Sequence, residues 1–231
     1  MFTKRVSLFA GHYGSGKTNI AVNYALALRA QGRKVTVADM DIVNPYFRTK
    51  DSERLFTERG IRLVSSAYAN TNLDIPALPA EFYALLARKE EYAVLDIGGD
   101  DRGAVALGRY VPQILEENDY DMFFVVNFYR PLTQTPEDAL EAMREVEAAA
   151  GLPFTSILNN SNLGEETTAD TVLATVEKAN VLSRLSGLPV SAVCAERQVA
   201  EKLSGRVPNL FPMQLQEKVF TIRGGESTWQ N

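Results

Sequence analysis

A three-layer α/β sandwich with a mostly parallel central sheet is the fold class this sequence predicts, and three features predict it. Short, nearly continuous apolar runs alternate with amphipathic stretches of helical length. A glycine-rich loop joins the first such run to the first helix, and several later runs end in a carboxylate or an amide. Strands covered on both faces lose the apolar–polar alternation of half-buried ones. Strands separated by helices imply crossover connections, and these bring successive strands parallel.

Strands are expected at Val6 to Ala10, Lys34 to Asp39, Tyr92 to Asp96, Met122 to Asn127, Phe154 to Asn159 and Val190 to Ala195. Helical spacing runs through Lys17 to Ala30, Glu81 to Lys89, Gly108 to Glu117, Pro136 to Ala150 and Thr168 to Leu185. Pro136 near a helix start and Gly151 just past its end follow the usual asymmetry of helix termini. Ser52 to Ser66 reads as a further helix followed by a weak strand. With no internal repeat and no Gly/Ser linker, residues 1–231 read as one domain.

Composition narrows the function classes. The 231 residues are 45% hydrophobic and 23% charged, as in ordinary globular proteins rather than disordered ones. The single cysteine excludes an intrachain disulfide and a CxxC metal site. A net charge of −5 argues against nucleic acid as a partner. No apolar run approaches the roughly 20 residues of a spanning helix, and the opening run leads into a glycine loop rather than a cleavage site. A cytoplasmic location without membrane attachment is the expectation.

Gly11-His12-Tyr13-Gly14-Ser15-Gly16-Lys17-Thr18 fits the pattern G-x-x-x-x-G-K-[ST], between an expected strand and an expected helix. Glycines let backbone N–H groups converge on phosphate oxygens, and the following helix adds a favourable dipole. Lys17 is expected to bridge β- and γ-phosphates, and the Thr18 hydroxyl to ligate Mg²⁺. The second strand ends in Asp39-Met40-Asp41, both carboxylates facing the crevice that parallel strands open at their carboxyl ends. Either both serve the phosphate site, or Asp39 braces the loop and Asp41 alone reaches the nucleotide. The third strand ends at Asp96, followed by Ile97-Gly98-Gly99. Asp96 suits a carboxylate that holds a water on Mg²⁺. Gly98 and Gly99 either bring a backbone N–H against the γ-phosphate or simply form a tight turn.

Together these residues resemble the MinD/ParA-like group of P-loop ATPases, within the class that also holds nitrogenase iron protein and the signal-recognition GTPases. The resemblance spans most of the chain and implies the P-loop nucleotide-hydrolase fold, with ATP and Mg²⁺ as ligands. It implies a switch I at Asp39-Met40-Asp41-Ile42, where Asp41 orients the attacking water and borders the metal. It implies a switch II at Asp96 with Gly98-Gly99. Lys17 and Asp41 are then the catalytic pair, and Thr18, Asp41 and Asp96 the metal-side residues. The nucleotide is expected against Gly11, Tyr13, Gly14, Ser15, Gly16, Lys17, Thr18 and Asn19, against Gly98 and Gly99, and against Asn159, Asn160 and Glu196 on the base side. The run Asn159-Asn160-Ser161-Asn162 either contacts the base or is a polar turn. No N-K-x-D occurs in the chain, which favours adenine over guanine.

The family's phosphate loop carries a signature lysine at its second position, and here that position is His12. A neutral imidazole is no fixed cation, so Arg48, Arg102 and Arg130 become alternatives, Arg102 foremost because it follows the switch II glycines. A lone cysteine and a lone histidine do not supply the paired cysteines or ligand clusters of the iron–sulfur and metal-insertion branches. Cys194 reads as a core residue. The C-terminal segment lacks the basic amphipathic helix of the membrane-cycling branch. Tyr46-Phe47 and Phe128-Tyr129 either pack as lids or form a surface that changes with nucleotide state. The expected function is a Mg²⁺-dependent ATPase switch with a nucleotide-dependent homodimer or a client protein as partner. A small-molecule kinase or dethiobiotin-synthetase-like ligase, and a binding module with negligible hydrolysis, are the rivals.

Overall fold

A computed structural model describes residues 4–40, 52–65, 80–99 and 101–215. Asp41, Tyr46, Phe47 and Arg48 lie outside the described residues, as do the side chain of Arg102 and the C-terminal segment from residue 216. Eight parallel strands form one sheet: β1 (Val6–Ala10), β2 (Val35–Met40), β3 (Arg62–Ser65), β4 (Tyr92–Ile97), β5 (Tyr120–Val126), β6 (Ser156–Asn159), β7 (Val190–Glu196) and β8 (Leu210–Met213). Their order across the sheet is β3-β2-β4-β1-β5-β6-β7-β8, and every described pairing is parallel. The order reverses around β1, the point at which an open parallel sheet leaves a crevice at its carboxyl edge. The glycine loop leaves β1 there.

Helix α1 (Lys17–Ala30) packs on one face through Ile20, Ala21, Tyr24, Ala25 and Leu28, against Phe9, Val37, Val94 and Phe123 of the sheet. On the other face lie α3 (Ala80–Ala87), α4 (Asp101–Leu107), α5 (Val111–Glu117), α6 (Pro136–Ala150) and α8 (Val176–Ser186). The three expected layers are present. Helix α2 (Glu53–Arg59) joins the α1 face through Phe56, while α7 (Ala169–Leu173) and α9 (Arg197–Leu203) share a smaller apolar cluster with β7.

Helix α6 begins as its sequence dictates. Thr135 accepts from Asp138 N–H at 3.1 Å while Asp138 accepts from Thr135 N–H at 3.3 Å, and Gly151 closes the helix at φ 67°.

Two helical expectations need correction. The helix expected from Gly108 to Glu117 starts three residues later, at Val111, with Pro112 in its first turn where a missing N–H is harmless, and a separate helix, α4, ends just before it at Leu107. Thr168 to Leu185 breaks at Thr175, whose hydroxyl donates to Val172 C=O at 2.7 Å and accepts from Asn159 Nδ2 at 3.0 Å. A side chain tied to a strand end outweighed helical spacing there.

Candidate nucleotide site

The loop from Gly11 to Gly16 turns sharply between β1 and α1, with Gly16 as the helix N-cap at φ 89°. A Cβ at Gly16 would collide with the Asn160 amide, so only glycine serves this position. Asn160, at the end of β6, donates from Nδ2 to Ser15 C=O at 2.7 Å. The loop is therefore held from outside by a neighbouring strand end.

Lys17 is 6% exposed despite its charge, and its Nζ donates to His12 C=O at 3.3 Å. Gly99 lies against it: a Cβ there would sit 2.7 Å from Lys17 Nζ and 2.9 Å from Tyr13 N. The backbone after β4 thus touches the phosphate loop itself.

Asp39 of β2 and Asp96 of β4 are in-register neighbours, 7% and 0% exposed. Alternation from Val37 and Val94 directs both side chains to the α1 face, on the side of Lys17 and Thr18. Two buried carboxylates side by side require positive charge close by. A divalent cation at the buried Thr18 hydroxyl would suit that requirement. Among the described residues no cluster of three or more metal-ligating side chains exists. A hydroxyl and carboxylates are the hard oxygen donors that suit Mg²⁺, with phosphate oxygens and water completing its coordination.

On the base side, Asn159 is fully buried. Its Nδ2 donates to Thr175 Oγ1, and its Oδ1 accepts from Ser161 N–H at 3.2 Å and Ser161 O–H at 2.7 Å. Its amide is committed to bracing the turn. Asn162 donates to Asn160 C=O at 2.8 Å and accepts from Gly164 N–H at 3.2 Å. Glu196 caps α9, accepting from Gln198 N–H at 2.8 Å. Tyr13 is 56% exposed on the loop's outer side, and Asn19 lies half-buried on the first turn of α1. His12 turns its Nδ1 to Tyr13 C=O at 3.3 Å, within its own loop. Phe128 is buried and Tyr129 donates its hydroxyl to Thr171 C=O at 2.8 Å, so this aromatic pair packs rather than forming an open surface. Cys194 is buried in β7, and burial pushes its thiol pKa up.

The model of the CobQ/CobB/MinD/ParA nucleotide-binding domain family matches residues 6–168, more than half of the chain. The chain belongs to this family. Its domain is therefore a nucleotide-binding P-loop domain, and its fold recurs in solved structures. FtsY of Thermotoga maritima, a cell division protein, superposes with a TM-score of 0.60 at 16% identity, over 83% of this chain and 62% of that one. The 54 kDa signal recognition particle protein of Aeropyrum pernix, solved with GDP, gives 0.52 at 19% identity, over 83% and 41%. The receptor FtsY of Elizabethkingia anophelis, also with GDP, gives 0.51 at 16%, over 84% and 58%. This chain thus spans about 41 to 62% of the length of these neighbours, and the likeness is one of fold. No curated protein matches the sequence. Among the described residues no helix is long and apolar enough to cross a membrane.

Sequence reasoning missed two contacts to this loop. Asn160 is legible as a strand-end amide, yet its partner, the Ser15 carbonyl, is 145 residues away in sequence. Arg130 donates from Nε to Gly14 C=O at 3.0 Å, and nothing in its neighbourhood signals that pairing.

Proposed function

We propose that this domain is a Mg²⁺-dependent ATPase that works as a nucleotide-operated switch. The observation that carries the reading is the contact between Gly99 and both Lys17 and Tyr13. A segment that rests on the phosphate loop is suited to register whether a γ-phosphate is present. ATP lies with its phosphates on Gly14 to Thr18, and Lys17 compensates charge on the β- and γ-oxygens. Thr18 and Asp96 would hold Mg²⁺, which would supply charge neutralisation at the phosphates. Asp41 orients water for in-line attack on the γ-phosphorus, with ADP leaving. Departure of the cleaved γ-phosphate as inorganic phosphate frees the segments at Asp41 and Gly98-Gly99, which changes affinity for a second copy of the chain or for a client protein.

Adenine is the base favoured. Guanine offers two donors on one edge and is best met by a carboxylate, whereas the turn from Asn159 to Asn162 carries only amides and a hydroxyl. The Glu196 carboxylate accepts from the backbone of α9.

Light-scattering mass of the Asp41→Ala protein with Mg-ATP and with Mg-ADP tests the switch. A dimer in ATP alone supports it. A monomer in both, with ATP binding verified, removes the homodimer. ATP turnover that depends on an added metabolite, and leaves it phosphorylated, would move the reading to a small-molecule kinase. Competition of ATP and GTP for the same site tests the base.

A further inference from the structure

The outer wall of the phosphate loop is capped by two side chains from neighbouring strand ends. Asn160 donates to Ser15 C=O and Arg130 donates to Gly14 C=O. These are consecutive peptide groups, and the N–H groups of the same peptides belong to Ser15 and Gly16. A donor on a carbonyl polarises its own peptide and strengthens the N–H at the other end. One of the two donors is neutral. The other is charged, and among the described residues Arg130 forms no ion pair and its Nη groups make no hydrogen bond.

Arg130 is also rigidly mounted. Its N–H donates to Asn127 C=O at 3.0 Å, and its C=O accepts from Thr133 N–H at 3.0 Å. Thr133 O–H donates to Asn127 C=O at 2.7 Å, while the fully buried Asn127 accepts from Tyr129 N–H at 3.0 Å and Asn162 N–H at 3.3 Å. The guanidinium reaches Gly14 closely: a Cβ there would lie 3.3 Å from Nε and 3.7 Å from the guanidinium carbon. The Nε bond to Gly14 C=O holds this otherwise exposed charge beside the loop.

We infer that Arg130 is the fixed cation of this phosphate loop, a positioning residue that makes the site select ligands by phosphate charge. It supplies from the same chain a positive charge that His12 does not guarantee. The inference rests on the reading of Gly11 to Thr18 as the phosphate site. It concerns affinity for polyphosphate and not which base is bound.

The test is fluorescence titration of Arg130→Gln, Arg130→Lys and the parent with N-methylanthraniloyl (mant) ATP, ADP and AMP at several salt concentrations. Arg130→Gln should weaken mant-ATP about tenfold and mant-ADP less, leave mant-AMP within about twofold, and flatten the salt dependence. Arg130→Lys, which keeps the charge but not the planar fork, should recover part of the mant-ATP loss. Equal affinity of Arg130→Gln and parent for all three nucleotides overturns the inference. So does an equal weakening for all three that lysine does not restore, because that is the mark of a neutral brace. A parent that binds none of the three overturns the phosphate-site reading itself, and is thereby distinguishable from failure at Arg130 alone.

Discussion

At the scale of single residues, the site depends on charges taken out of water. Lys17 is the buried ammonium that faces both the loop and the segment after β4. Removing a charge-assisted contact of this kind costs about 1.5–3 kcal/mol. Lys17→Ala should therefore weaken ATP roughly 10- to 100-fold in a binding titration, with far-UV circular dichroism unchanged. Asp96 is fully buried at the end of β4, beside Asp39. Asp96→Asn keeps its shape and removes its charge. It should reduce affinity for ATP in the presence of Mg²⁺ while leaving binding in EDTA nearly unaffected. Equal losses in both conditions would assign Asp96 to bracing the loop rather than to the metal.

Elements are held to one another by a small number of polar clamps. Gly16 and Asn160 are the closest-fitted pair, joining the start of α1 to the end of β6. Gly16→Ala forces a side chain into left-handed backbone and into the Asn160 amide, at a cost of about 1–3 kcal/mol. Asn160→Ala removes the obstacle. In a double-mutant cycle read by urea unfolding, Gly16→Ala should cost less in the Asn160→Ala background than in the parent. Additive costs would show that backbone strain, not collision, dominates. Helix α6 offers a simpler case. Thr135→Ala removes its capping hydroxyl and should lower stability by about 1 kcal/mol, without change in nucleotide affinity.

Over the whole molecule, burial of titratable groups sets the pH range of stability. Tyr24 is enclosed by Phe9 and Phe123, and burial pushes its hydroxyl up to about 12 from 10.0. The unfolded chain then ionises first, so stability is lost as pH rises from 10 towards 12, by roughly 2–3 kcal/mol for this group. The buried Cys194 thiol, also pushed up by burial, acts in the same direction. Thermal unfolding of Tyr24→Phe should show a shallower alkaline fall, with some general loss because Ser7 donates to the Tyr24 hydroxyl at 2.9 Å. At acid pH the sign reverses. Burial raises the Glu117 carboxyl, but hydrogen bonds and charge from Arg5 and Lys89 outweigh it, so its pKa is lowered in the fold. That stability is complete above the unfolded value near 4.5 and disappears as pH falls through the folded one. Glu117 matters to the architecture because Arg5, its partner, also donates to Leu86 C=O and Glu91 C=O and so fastens β1 to the end of α3.

Much of this protein was legible in its sequence because the relevant physics is local. Continuous apolar runs marked most strands, and the glycine spacing with Lys17-Thr18 marked the phosphate loop. Pro136 and Gly151 bounded α6 correctly because caps act within a single turn. Strand β8 went unread: Leu210-Phe211-Pro212-Met213 is short and carries a proline that only an edge strand tolerates. The break at Thr175 escaped for a different reason, since its partner Asn159 lies on a strand that helical periodicity does not register. Only the tertiary structure showed that Arg130 meets the loop. Nothing in the sequence near Arg130 signals that contact, because the Gly14 carbonyl it meets is 116 residues away. Composition and spacing determine what a segment forms by itself. Which side chains converge on one anion depends on the order in which the strands lie, and that order is a property of the packed sheet.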